Sequence, residues 1–166
     1  MEWSMAGKIV IITGPTSGIG RAIAEALASH GARIVLACRD IEKGEATRAT
    51  IARQTGSEAL SVLQVDTSRL QSVLAFASEF KRRNRNLHVL INNAGINQPR
   101  KTLTPEGIEM TFATNVLGYY WMSMALEDIL ISSAPARIVN VASTFAGELD
   151  LSDLQFTMRK YTGIKA

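Results

Sequence analysis

The chain has 166 residues, 46% of them hydrophobic and 20% charged, a composition that excludes disordered and collagen-like classes and leaves room for one buried core. Its formal charge is +3, and the densest basic stretch, KRRNR at residues 81–85, ends a helical pattern where cations offset the helix dipole, so it reads as a solvated helix end rather than a nucleic-acid site. A single cysteine, Cys38, excludes an internal disulfide; no apolar run reaches the roughly 20 residues of a membrane span and residues 1–7 lack a signal peptide's apolar stretch, so a soluble, cytoplasmic protein is expected.

In chain order, a β-branched apolar run at residues 8–13 predicts the first strand, and the segment TGPTSGIG at 13–20 follows it directly. A helix beginning near Ile19 carries Ile19, Ile23, Ala26 and Leu27 on one face and stops at Gly31, a plausible glycine just past its C-terminus. Further strands are predicted at 33–37, 59–65, 88–92 and 137–141, with helices at 41–54 and 70–83 and a long helical segment entered at Pro105 and reaching Leu130. There are no repeats, low-complexity tracts or linkers, so residues 1–166 read as one domain. Alternating strands and helices predict an α/β fold, a doubly wound parallel sheet in the order 3-2-1-4-5, with a ligand crevice at the strand C-terminal ends.

The chemistry-bearing residues fall at that crevice. Gly14, Gly18 and Gly20 allow a tight reversal between strand and helix, and with Thr16, Ser17 and Ile19 they form the turn that lets a pyrophosphate approach the helix N-terminus. The spacing G-x-x-x-G-x-G differs from the commoner G-x-G-x-x-G, yet the flanking strand and helix are those a dinucleotide (Rossmann) site requires. After the second strand comes Cys38-Arg39-Asp40. A neutral residue followed by arginine suits a ribose 2′-phosphate and favours NADP(H) over NAD(H), while Asp40 is the rival group for a free 2′-hydroxyl. His30 and His88 have no companions at metal-ligand spacing, and no metal is expected. The aromatic cluster at 119–122 reads as packing or a dimer surface.

The glycine loop, Asn92-Asn93-Ala94-Gly95, Asn115 in TNVLG and Ser143 in VNVAS occur in the order and approximate spacing of the short-chain dehydrogenases/reductases, which the chain resembles over nearly its whole length. The segments LACRD at 36–40 and LHVLINNAG at 87–95 are most similar to the retinol dehydrogenase and WW-domain oxidoreductase branch, in which NADP(H) is commonly preferred. The resemblance implies an oxidoreductase interconverting an alcohol and a carbonyl, with a retinoid- or steroid-like substrate as a family-level expectation. It further implies that Asp66, beside Thr67, meets the adenine amino group, and that Asn92, Ala94 and Gly95 line the adenosine ribose and support the sheet's centre. Asn115 would hold a helix irregularity and a relay water, and Ser143 would bind the substrate oxygen.

The family's tyrosine acid/base and its lysine four residues later are matched in spacing by Tyr161 and Lys165. That pair lies closer to Ser143 than the family's interval, Gly163 interrupts it, and Ala166 aligns with the alanine just before the family's tyrosine. Three expectations stand: part of an NADP-dependent enzyme whose sheet is incomplete on the C-terminal side, a truncated cofactor-binding or dimer-modulating module without turnover, and a small enzyme using Tyr161. A homo-oligomer is expected, because related enzymes often pair through the helix after Asn115; no nucleic-acid partner and no membrane span are expected.

Overall fold

The computed structural model describes residues 4–143 and 150–161. Five parallel strands, β1 (Ile9–Thr13), β2 (Arg33–Cys38), β3 (Leu60–Gln64), β4 (Val89–Asn92) and β5 (Arg137–Asn140), form one sheet in the order β3-β2-β1-β4-β5. This is the expected order, with strand ends shifted by one residue. Register is continuous across the centre: Ile12 pairs with Leu36 on one side and with Ile91 on the other. β1 is buried along its whole length, as a central parallel strand covered on both faces should be.

Alternation within the strands splits the core in two. Ile9, Ile11, Val35, Ala37 and Leu90 face α3 (Leu70–Arg83), with Phe76 and Phe80 packed among them. Val10, Ile12, Ile34, Leu36 and Ile91 face α1 (Gly18–Ser29) and α2 (Ile41–Thr55). Gly31, at φ +85°, follows α1 as the C-terminal glycine the sequence predicts, and Gly56 ends α2 in the left-handed region.

The inward face of α1 differs from the expected one. Gly20, Ala24, Leu27 and Ala28 are buried, whereas Ala26 is exposed and Ile19 is 63% exposed. Gly20 seats the first turn so closely against the strand-to-helix loop that a Cβ there would collide with the Gly14 carbonyl and the Asn93 carboxamide, and with Gly20 facing inward its neighbour Ile19 is left to solvent.

The long helix expected from Pro105 to Leu130 is also corrected. Residues 102–110 instead make a tight reversal in which Leu103 bridges to Glu109 and Gly107 sits at φ +80°. Helix then starts as α4 (Met110–Phe112), widens into a π-helical stretch (Ala113–Leu117), and continues as α5 (Gly118–Ala125) and α6 (Glu127–Ser132). Glu109, fully buried, fixes the start by accepting from the Thr111 and Phe112 amides at 2.9 and 2.7 Å. β5 is exposed at all four residues, an uncovered sheet edge among the described residues.

Candidate active site

The C-terminal ends of β1, β2 and β4 converge on the glycine loop. Gly14 and Gly18 take φ +65° and +52°, and Gly14 lies so close to β4's end that a Cβ there would stand 2.8 Å from the Ala94 Cα. Only glycine fits such a cradle. The α1 N-terminus has no acidic residue in its first turn, and the Ser17 side chain makes no capping bond, so amide groups and dipole remain available to an anion. Among the described residues no three His, Cys, Asp or Glu side chains are grouped to hold a metal.

Thr13 and Asn93, which stand in the two motifs without an assigned role, tie this region together. The buried Thr13 hydroxyl accepts from the Asn93 and Ala94 amides at 2.9 and 3.0 Å, and the Asn93 carboxamide donates to the Thr13 and Gly14 carbonyls at 3.0 and 3.2 Å. Asn92 is fully buried and its carboxamide is turned into the sheet, donating to Asn140 Oδ1 at 2.9 Å and Ser123 Oγ at 3.3 Å. The side chain thus ties β4 to the edge strand β5 and to α5, while the strand end at the loop is held by its neighbour Asn93. Alternation along β4 carries the signal: consecutive residues face opposite ways.

At the β2 end, Asp40 is the N-cap of α2, accepting from the Lys43 amide at 3.0 Å with the Lys43 ammonium 3.7 Å away. The Lys43 amide bond, aided by that charge, holds its carboxyl below the usual aspartate value. Arg39 is exposed and makes no hydrogen bond or ion pair through its guanidinium among the described residues. Cys38 is buried, and burial followed by the charge of Asp40 pushes its thiol up to about 11, so it stays protonated.

Beyond β3, Asp66 accepts from the Ser68 amide and hydroxyl at 3.0 and 2.6 Å through one carboxylate oxygen. Thr67 is buried against α5: a Cβ on Gly118 would lie 2.7 Å from the Thr67 carbonyl, so this glycine brings the Asn115 helix up to the crevice. Asn115 sits inside the π-helical stretch and clasps Ile96 from both sides, accepting from its amide and donating to its carbonyl, each at 2.9 Å. π-Turns occur frequently at functional sites, and here one redirects a single carboxamide to the loop after β4.

Ser143 lies three residues past β5 and is exposed. The Tyr161 hydroxyl donates to the Gln98 carbonyl at 3.1 Å and pairs with Thr111 Oγ1 at 3.1 Å, and its ring stands edge-on to Phe156. Burial raises the phenol's pKa against the opposing Thr111 bond, the reverse of what an acid/base needs. Lys165, Gly163 and Ala166 lie outside the described residues. Asp153 organises the segment before Tyr161: burial opposes its ionisation, but the Thr157, Met158 and Arg159 amides and the Thr157 hydroxyl hold it down to about 2.

A parallel sheet in this order, a glycine cradle at the first helix and polar strand ends together define a doubly wound dinucleotide-binding fold. The family described as short chain dehydrogenase matches residues 8–151, and the chain belongs to it. Human retinol dehydrogenase 11 is 44% identical over 139 residues, covering 84% of this chain and 44% of that protein. The WW domain-containing oxidoreductase of Gallus gallus is 37% identical over 171 residues, covering 98% of this chain and 41% of its own length. A metagenomic short-chain oxidoreductase solved in complex with NADP superposes with a TM-score of 0.77 at 30% identity, covering 89% of this chain and 67% of that one. The chain therefore stands in the retinol dehydrogenase-like branch and spans about half the length of the curated relatives it matches. Its family is one of oxidoreductases acting on alcohols and carbonyls. No helix among the described residues is long and apolar enough to cross a membrane.

Proposed function

We propose that this chain supplies the cofactor-binding half of an alcohol/carbonyl oxidoreductase that prefers NADP(H) over NAD(H), with a retinoid- or steroid-like substrate. The observation that carries the cofactor preference is the division of labour at 39–40: the acid that would take a ribose 2′-hydroxyl is occupied as a helix cap, and the arginine beside it is unengaged. The cradle at Gly14 and Gly20 and the uncompensated N-terminus of α1 would hold the pyrophosphate, with Thr16, Ser17, Gly18 and Ile19 around it. Asp66 has a carboxylate oxygen to spare for the adenine amino group, Thr67 packs beneath it, and Ala94 and Gly95 would border the ribose, with Asn92 behind them in the sheet. When bound, the cofactor supplies hydride chemistry at its nicotinamide.

Ser143 would hold the substrate oxygen and stabilise charge as it develops, and Asn115 would keep the loop at Ile96 and a relay water in place. Tyr161 is assigned to packing on Thr111 and Gln98. That engaged tyrosine favours one second reading, a cofactor-binding or dimer-modulating module without turnover. The face formed by Val116, Tyr120 and Met124, all exposed, is the surface through which a homo-oligomer would form.

The test is Arg39→Asp, titrated with NADPH and NADH by nicotinamide fluorescence. The wild type is expected to bind NADPH about tenfold or more tightly than NADH, a charge-assisted phosphate contact contributing about 1.5–3 kcal/mol, and the variant to lose or reverse that preference. An unchanged preference in the variant overturns the assignment. Binding without carbonyl reduction would separate both of these readings from a small enzyme that uses Tyr161.

A further inference from the structure

We propose that Gln64 is a specificity-determining residue for the cofactor, acting through the main chain of Arg39; the inference rests on Arg39 meeting a 2′-phosphate. Gln64 is the last residue of β3 and stands in register with Cys38 at the end of β2. Its Nε2 donates to the Arg39 carbonyl at 3.0 Å, across 25 residues of sequence. The carbonyls on either side are also held. The Val65 amide donates to the Cys38 carbonyl at 3.0 Å, while the Cys38 thiol and the Gly44 amide donate to the Asp40 carbonyl at 3.3 and 3.0 Å.

The turn at 38–40 is thereby fixed at each of its three carbonyls, with Arg39's side chain left free. A guanidinium on a flexible stem binds an anion better when its root is fixed, because less conformational freedom is lost on contact. Of the three anchors, the Cys38 and Asp40 carbonyls are held by backbone or buried groups belonging to the fold. The Arg39 carbonyl alone is held by an exposed side chain, so this contact is separable from folding. Gln64 touches no reacting atom; it is a positioning residue whose effect should be confined to ligands carrying a 2′-phosphate.

The 166-residue chain is titrated calorimetrically with adenosine 2′,5′-bisphosphate and with 5′-AMP, which differ by the 2′-phosphate and need no turnover. Gln64→Leu is expected to weaken the bisphosphate about three- to tenfold, the range one net hydrogen bond spans, with 5′-AMP changed less than about twofold and melting within about 2 °C of the wild type. Gln64→Lys, which keeps a donor of similar reach, is expected to restore the preference. Equal weakening of both probes, or a Gln64→Leu variant that discriminates like the wild type, overturns the inference. Arg39→Leu separates the two levels: if it abolishes discrimination while Gln64→Leu does not, Arg39 stands and Gln64 falls. If the wild type does not discriminate, both fall.

Discussion

Asn115→Ala removes the clasp on Ile96 and tests whether the π-helical stretch is built to hold the loop after β4. Two neutral hydrogen bonds of 2.9 Å are lost, each contributing about 0.5–1.5 kcal/mol net, so the expected cost is about 1–3 kcal/mol. Both residues are half-buried, so water can partly replace the clasp and the lower half of that range, about 1–2 kcal/mol, applies. In a domain of this size each kcal/mol moves Tm by roughly 2–4 °C, giving a fall of roughly 2–8 °C in a circular-dichroism melt. Asn115→Asp gives an internal control. At pH 7 its carboxylate still accepts from the Ile96 amide but faces the Ile96 carbonyl without a donor; protonation restores that donor, so its deficit relative to wild type should shrink as pH falls towards 4. An alanine variant melting within about 1 °C of wild type, with no faster hydrogen exchange at the Ile96 amide, would refute the clasp.

Two further outcomes are expected. In Gly44→Ala the new Cβ would lie 2.6 Å from Cys38 Sγ and 2.7 Å from Val62 Cγ1, so α2 must move off β2 and β3 at about 1–3 kcal/mol; a urea midpoint equal to wild type would contradict this packing. His88 Nδ1 accepts from the Ile9 amide at 2.9 Å, which requires the neutral ring, and burial with the nearby Lys8 charge lowers its pKa below 6.5. Because the folded value is the lower one, the stability it contributes is present above pH 6.5 and is lost as pH falls through the folded pKa. Urea midpoints between pH 7.5 and 5.5 should therefore decline in the wild type and decline less in His88→Leu; parallel slopes would remove His88 from the account.

The strand order and the turn at the glycine loop were readable because each rests on local rules. β-Branched runs, helical periodicity and glycines at positive φ need only near neighbours to be recognised, and a right-handed crossover does the rest. The same rules misjudged Ile19, whose apolar side chain belongs by periodicity to the α1 face but is left to solvent beside the inward-facing Gly20. They also read a continuous helix through residues 105–117, where the fully buried Glu109 caps a late start and Asn115 draws a wider turn towards Ile96.

By itself, the sequence determined which residue types stand at the crevice: an arginine and an aspartate after β2, an asparagine ending β4 and another just past it, an asparagine in the following helix. Tertiary structure decided what each of them does. Asp40 is spent on the Lys43 amide, Asn92 on Asn140 and Ser123, Asn93 on the glycine loop, Gln64 on the Arg39 carbonyl and Tyr161 on Gln98 and Thr111. Apart from Asp40, these partners lie 25 to 80 residues apart in the chain. A polar group takes whichever donor or acceptor the fold brings within about 3 Å, and that choice is made only once the sheet has assembled.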